Sequence, residues 1–307
     1  MSSLFHKKGF LAVILVLVMV SMACGMPALV NQPAPTQNPV AKATDTAQPK
    51  ALAATNTPVQ PTITAQPTQE PTQEITPTEP MLPQADFSGV TFTYDPQIAS
   101  SVSGEEVAAV NEGQGAPWDI QPATITFSFD GYPVTGNDHD PQILVFPVTD
   151  FEKMNDTAAK EIEDLRQVLA VHPQTFPDNG LPFLPTWNAA QVFHTKVSYF
   201  AFRDGQGVRY LTMYAQNFAT VNNKVLFYTY QGLSSDGKYY VSAILPVTNA
   251  ILAPDDSIPG GDFNKFSQNI KNYMAAMHDK LDAQPEDAFI PSLTLLDDMI
   301  KSIAIKK

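Results

Sequence analysis

Residues 25–84 constrain the fold most, because they contain twelve prolines and no aromatic side chain. Thr, Gln and Ala fill most other positions, and Pro-Thr-Gln-Glu occurs twice in succession at 67–74. A segment with so little to bury cannot offset the entropy lost on ordering, so we expect an extended, disordered tether over residues 24–84. The rest of the chain, residues 85–307, is then expected to form one globular domain.

The first residues have the layout of a secretory signal peptide. Lys7 and Lys8 precede an apolar run from Phe10 to Val20, and Cys24, the only cysteine of the chain, follows closely. This run has 11 residues, whereas a transmembrane helix needs roughly 20. We therefore expect residues 1–23 to be a signal peptide rather than a permanent membrane span.

The end of this segment resembles the lipobox of bacterial lipoproteins. Ala23 and Cys24 match its pattern, and Ser21 stands where a leucine-like residue is usual. The resemblance implies that Cys24 becomes the mature N-terminus and carries fatty acyl chains such as palmitate, which hold the protein on the extracytoplasmic side of the cell membrane. The alternatives are an ordinary signal peptide, or an uncleaved anchor, with an incidental Cys24.

The charge of the chain argues against nucleic acid as a partner. The formal net charge is −13, and it becomes −15 when Lys7 and Lys8 leave with the signal peptide. A negative surface disfavours nucleic acid and anionic lipid headgroups. Because acylation of Cys24 would leave no thiol, the exported domain must be held together by packing alone.

The pattern of the globular part predicts an α+β fold. Alternating or continuous apolar runs predict N-terminal strands at 90–94, 125–129 and 143–146. Four aromatic-rich runs separated by turn signals predict an antiparallel four-strand meander over 191–247. A weaker pattern at 103–111 predicts a short helix.

Two apolar stripes at helical spacing predict the main amphipathic helices, at 149–170 and 262–283, which cover the sheet. Thr149 and Glu152 fit a capping box at the start of the first of these helices. Strands with segregated helices give the α+β class.

The plan of the domain resembles that of PsbP-like domains, which are α-β-α sandwiches. The resemblance is carried by the opening residues 89–96, a capped helix after early strands, the meander, and a closing Leu-Leu-Asp-Asp-Met-Ile-Lys-Ser-Ile segment at 295–303. It implies accessory binding or assembly roles without catalysis, and it assigns no functional residue.

Patterns of catalytic chemistry are missing from the sequence. It contains no Gly-x-Ser-x-Gly elbow, no glycine-rich phosphate loop after a strand and no His-Glu-x-x-His helix. The histidines outside the signal peptide are scattered along the chain. We therefore expect no catalytic residues and no cofactor, although missing motifs do not exclude an enzyme.

The segment Asn137-Asp138-His139-Asp140 is the one local cluster of metal-ligand types. Hard cations such as Ca²⁺ prefer oxygen ligands, and Asp138 and Asp140 could supply two. The segment lacks the acidic residue that usually completes such a loop. A solvated turn is the favoured interpretation, and a metal site is the weaker one.

Aromatic residues give the stronger indication of a binding surface. Trp118 and Trp187 lie beside proline-containing loops, and Tyr214 and Tyr230 belong to the aromatic-rich meander. Such rings stack on glycans or pack against partner proteins. The alternative is that they pair across strands and cover the core.

These observations favour a tethered, non-catalytic binding or assembly domain for an unknown extracellular protein or glycan. The enzyme alternative is a cell-envelope hydrolase that acts on wall or glycan material, for which a histidine and a carboxylate would lie within hydrogen-bond reach in a pocket. A solute-binding lipoprotein is the second alternative, disfavoured because the chain lacks the length for two lobes.

Overall fold

The computed structural model describes residues 81–176 and 180–306. The predicted signal peptide, Cys24 and nearly all of the predicted tether lie outside these residues. The predicted class is confirmed, since the described residues form an α+β fold with mostly antiparallel sheets and five α-helices.

The strands are β1 (Gln84–Phe87), β2 (Val90–Thr93), β3 (Ser101–Val107), β4 (Thr124–Asp130), β5 (Gln142–Pro147), β6 (Ala190–Phe202), β7 (Gly205–Ala215), β8 (Phe227–Ser234), β9 (Tyr239–Pro246), β10 (Thr248–Asn249), β11 (Phe289–Ile290) and β12 (Ala304–Ile305). The helices are α1 (Val148–Met154), α2 (Asp156–Val171), α3 (Phe263–Gln268), α4 (Ile270–Asp282) and α5 (Leu293–Lys301).

A seven-stranded antiparallel sheet with the order β3-β4-β5-β9-β8-β7-β6 forms the centre of the domain. Successive side chains of a strand point to opposite faces. Phe227 accordingly belongs to the core cluster on one face and Tyr228 to the cluster on the other. Both faces are apolar, so both must be covered by other elements.

Helix α2 packs on one face, which we call the α2 face, through Ile162 and Leu165. The opposite face, which we call the α5 face, carries α4, α5 and a small sheet of the order β1-β2-β12. Leu281 of α4, Leu296 of α5 and Phe92 of β2 are buried there. The seven-stranded sheet therefore lies between two apolar layers.

The helix predicted at 149–170 is two helices, because Asn155 interrupts it. Asn155 has an extended backbone, and its Oδ1 accepts hydrogen bonds from the N–H groups of Thr157 and Ala158 at 3.0 and 3.1 Å. Asn155 is thus the N-cap of α2. The predicted capping box of Thr149 and Glu152 is wrong, since α1 has no side-chain cap and follows Pro147 directly.

Two other predictions differ from the structure. The helix predicted at 262–283 is interrupted at Asn269, between α3 and α4, and Asp262 caps α3 by accepting from the N–H of Lys265 at 3.1 Å. The short helix predicted at 103–111 is wrong, because β3 occupies Ser101–Val107 and pairs with β4 along its whole length. Long-range strand pairing outweighs a weak local helical pattern.

A buried polar network ties α5 to the sheet on the α5 face. The guanidinium of Arg209, on β7, donates to Asp297 Oδ2 at 3.1 Å and to the carbonyl of Lys196 at 2.7 Å. The hydroxyl of Tyr228 donates to the other carboxylate oxygen of Asp297 at 3.0 Å. Arg209 is 3% exposed, so its charge depends on these partners for stabilisation.

Candidate functional site

A cluster of aromatic rings lies on the α2 face around Trp187, which we call the aromatic cluster. The ring centroid of Trp187 is 4.8 Å from that of Phe183, 5.1 Å from that of Tyr214 and 5.6 Å from that of Phe227. The ring of His139 stacks on Trp187 at 4.9 Å. Edge-to-face and stacked arrangements are the favourable geometries of aromatic pairs, so the cluster fixes the position of Trp187.

The loop that contains Trp187, of which residues 180–189 precede β6, is attached to the sheet by a buried polar network, which we call the Gln231 network. The Leu184 N–H donates to Gln231 Oε1 at 3.0 Å, and the hydroxyl of Ser242 donates to the Leu184 carbonyl at 2.5 Å. Gln231 Nε2 donates to Ser242 Oγ at 3.0 Å and to Thr229 Oγ1 at 2.7 Å. The Tyr240 hydroxyl donates to Gln231 Oε1 at 2.6 Å. The N–H and the carbonyl of Leu184 are thereby both paired.

A cavity of about 290 Å³ opens between α2, this loop and the start of β6. We call it the Trp187 pocket, and its lining includes Thr157, Glu161, Phe183, Trp187, Gln191 and Tyr214. Its volume is at the low end of that of small-molecule sites. It therefore fits a small ligand or the end group of a larger one.

The polar groups of the pocket are held in place by the same loop. Glu161 Oε2 accepts from the Phe183 N–H at 3.1 Å. Gln191 Oε1 accepts from the Leu181 N–H at 2.8 Å, and Gln191 Nε2 donates to the Tyr214 hydroxyl at 3.1 Å. The pocket thus combines a carboxylate, an amide and a phenol with aromatic rings.

Burial shifts the pKa of two of these groups. Loss of solvation raises the pKa of the Glu161 carboxyl, and the hydrogen bond from Phe183 opposes this effect. Burial also raises the pKa of Tyr214, although its hydrogen bond with Gln191 opposes the rise. Tyr214 therefore remains a neutral phenol near pH 7 and can donate a hydrogen bond.

The structure brings together two of the four aromatic residues that the sequence indicates. Trp187 and Tyr214 both line the Trp187 pocket. Trp118 does not line the pocket; it is 41% exposed, and its carbonyl accepts a hydrogen bond from the hydroxyl of the lining residue Thr186 at 2.7 Å. Tyr230 must be removed from the candidate set, because it is fully buried on the α5 face and its hydroxyl donates to the Phe200 carbonyl at 2.9 Å.

The weak metal candidates lie in an exposed turn. Asp138 forms an ion pair with Lys224 at 3.3 Å, and Asn137 Oδ1 accepts from the His139 N–H at 3.0 Å, as in a side-chain-stabilised turn. Asp140 lies at a separate cavity beside β4 and β5. Within residues 81–176 and 180–306, no group of three His, Cys, Asp or Glu residues could hold a metal ion.

Sequence reasoning missed Glu161 and Gln191. Glu161 immediately precedes Ile162 in the apolar stripe of α2, and Gln191 is at the start of an edge strand. A charged residue next to an apolar stripe is usually solvated, so no local signal marks it. Only the return of the loop over the helix makes it a pocket residue.

The described histidines do not form an acid–base pair. His278 Nδ1 lies 3.1 Å from the carbonyl of His194. His139 stacks behind Trp187, and burial lowers its pKa against the opposing effect of Asp138 and Asp140. Among residues 81–176 and 180–306, no histidine ring bonds to a carboxylate.

The chain matches no family model, no curated protein and no solved structure. None of the helices in the described part of the chain combines the length and the apolar character needed to cross a bilayer.

Proposed function

We propose that this protein is a lipoprotein anchored through Cys24 to the extracytoplasmic side of the cell membrane, and that its folded part is a non-catalytic binding or assembly domain. The lipobox-like end of the signal segment supports the anchor. The observation that carries the binding function is the convergence of Trp187 and Tyr214 on one cavity with Glu161 and Gln191. The partner is an extracellular protein or glycan.

The frame that we propose for this site is a four-strand meander over 191–247, covered by the helical segments at 149–170 and 262–283, each of which is divided into two helices. Its plan is similar to that of PsbP-like domains, and the accessory roles of that family suit a binding or assembly function. In this frame the Gln231 network fixes the loop that carries Trp187. A preformed site avoids the entropy loss of ordering a loop on binding.

The cell-envelope hydrolase remains the alternative. A glycosidase uses two carboxyl groups, and a hydrolase of the triad type uses a nucleophile with a base. Of the described residues that line the Trp187 pocket, Glu161 is the one carboxylate, and none is a histidine. A solute-binding lipoprotein is the second alternative; receptors of that type have two lobes, whereas the described residues belong to one compact unit.

Tryptophan fluorescence tests the binding function, because the chain has two tryptophans. Trp118→Phe leaves Trp187 as the sole reporter of the pocket. We expect the emission of this variant to change saturably on titration with a glycan fraction or a protein fraction of the cell envelope. No change with either fraction would contradict the proposed site.

Co-sedimentation with the active fraction gives the matched comparison. Trp187→Ala should lose at least about thirtyfold in affinity, since aromatic anchors of this kind contribute about 2 kcal/mol or more. Trp118→Ala should bind as wild type does. Trp187→Phe keeps an apolar ring in the pocket and is the milder substitution. Circular dichroism of each variant shows whether its fold is retained. The opposite ranking of the two tryptophans would refute the site, and turnover of the bound material would replace the proposal by the hydrolase.

A further inference from the structure

Glu161 is a partly buried carboxylate that lines the Trp187 pocket. Its Oε2 accepts one hydrogen bond, from the Phe183 N–H. No Lys, Arg or His of residues 81–176 and 180–306 forms an ion pair with it. The adjacent Lys160 is paired with Asp164 instead. A partly buried carboxylate gains most from an opposite charge at short range.

The walls around Glu161 suit a positive charge as well. Phe183 and Tyr214 have ring centroids 4.8 Å apart, and both contact the indole of Trp187. The faces of aromatic rings attract cations, and the effect grows when water is excluded. The net charge of the chain, −13, adds a long-range attraction for cations.

We propose that the Trp187 pocket binds an organic cation, a primary or methylated ammonium group, with Glu161 as its counter-ion and Trp187 and Tyr214 as its aromatic walls. This inference rests on the proposed binding function and gives the chemistry of its ligand. The neutral Tyr214 hydroxyl accepts from Gln191 Nε2 and can donate to a polar group beside the ammonium. The cation would then be the end group of an envelope molecule, in keeping with the cavity volume of about 290 Å³.

Choline and 3,3-dimethylbutan-1-ol form a matched pair of probes, because they have the same shape and differ in charge. We expect choline to quench or shift the Trp187 emission of the full-length Trp118→Phe protein and to bind at least about tenfold tighter than the alcohol. Glu161→Gln keeps an acceptor for the Phe183 N–H and removes the charge. It should lower choline affinity to that of the alcohol.

Glu163→Gln is the control for Glu161→Gln. Glu163 lies on the same helix, its side chain is 56% exposed, and its carboxylate contacts Arg166 at 3.4 Å. This variant removes an equal charge outside the pocket and should leave choline affinity unchanged. Equal binding of choline and the alcohol, or equal effects of the two variants, would overturn the inference. Thermal unfolding of each variant confirms that it is folded.

The two proposals fail in different ways. If neither probe reaches the pocket but an envelope fraction still changes Trp187 emission, the cation inference is wrong and the binding function stands. If choline binds through Glu161 but no envelope fraction does, the cation site stands and the proposed envelope function is wrong. A glycan without amino groups that binds equally well to Glu161→Gln would also overturn the cation inference.

Discussion

Gln231→Leu tests whether the Gln231 network holds the site together. Gln231 is fully buried, and its Oε1 accepts from the Leu184 N–H and from the Tyr240 hydroxyl. Leucine has a similar volume, so the change leaves little cavity and mainly orphans these two donors. Each unpaired buried group costs about 1–3 kcal/mol, which gives a loss of about 2–6 kcal/mol in the free energy of unfolding.

Urea unfolding measures this loss directly, and thermal unfolding should show a decrease in Tm of about 4–24 °C for a domain of this size. Gln206→Leu is the matched control, because Gln206 is exposed on the adjacent strand β7, and it should change stability by less than about 0.5 kcal/mol.

The Gln231→Leu change should also have a local effect on the loop, which tests the network as directly as the loss of global stability does. If Gln231 holds the loop, the Leu184 amide should exchange with solvent faster in Gln231→Leu, and the emission of Trp187 should shift to longer wavelength as its surroundings become wetter. A loss below about 1 kcal/mol together with unchanged protection of the Leu184 amide would refute the role of the network.

Three substitutions test the buried charges and the lipid anchor. Burial raises the pKa of Glu161, so the contribution of this side chain to stability is present below its unfolded pKa and is lost as pH rises through its folded pKa. Glu161→Gln should therefore have a higher Tm than wild type at pH 7. This difference should disappear below about pH 4. If Tm differs equally at both pH values, ionisation is not the cause. Asp297→Ala leaves the buried Arg209 charge with Glu286, at 3.4 Å, as its remaining carboxylate partner and should cost up to about 3–5 kcal/mol in urea unfolding. Part of this loss should be recovered by Arg209→Met with Asp297→Leu, and a failure of the double variant to recover any stability would contradict this. Cys24→Ala should abolish incorporation of labelled fatty acid, and labelling equal to that of wild type would disprove lipidation at this residue.

Periodicity predicted which side chains are buried better than it predicted the backbone that carries them. Phe151, Ile162 and Leu165 belong to one core cluster, as the stripe at 149–170 indicates, yet Asn155 breaks the helix between them. Apolar spacing indicates the direction of a side chain. It does not reveal an N-cap at which one helix ends and the next begins with its apolar side chains on the same face. The same limit explains the break at Asn269.

The site was only partly predictable because its parts meet through long-range contacts. Trp187 and Tyr214 are conspicuous by residue type, but Glu161 becomes a pocket residue only when the loop folds over α2. The bonds that place this loop join Leu184 to residues 47 and 58 positions further along the chain. Tyr230 shows the opposite case. The alternation of side chains places Tyr230 on the same face as Tyr228, but alternation cannot tell which face is covered when both faces are apolar.

The two faces of the sheet also give the domain a direction. The chain joins the domain at β1, the outer strand of the small sheet on the α5 face, whereas the Trp187 pocket opens on the α2 face. With an anchor at Cys24, tension in the tether would enter the domain through the small sheet on the α5 face, across the central sheet from the pocket. The pull of a ligand that is fixed in the layer beyond the domain would then reach the tether through the central sheet.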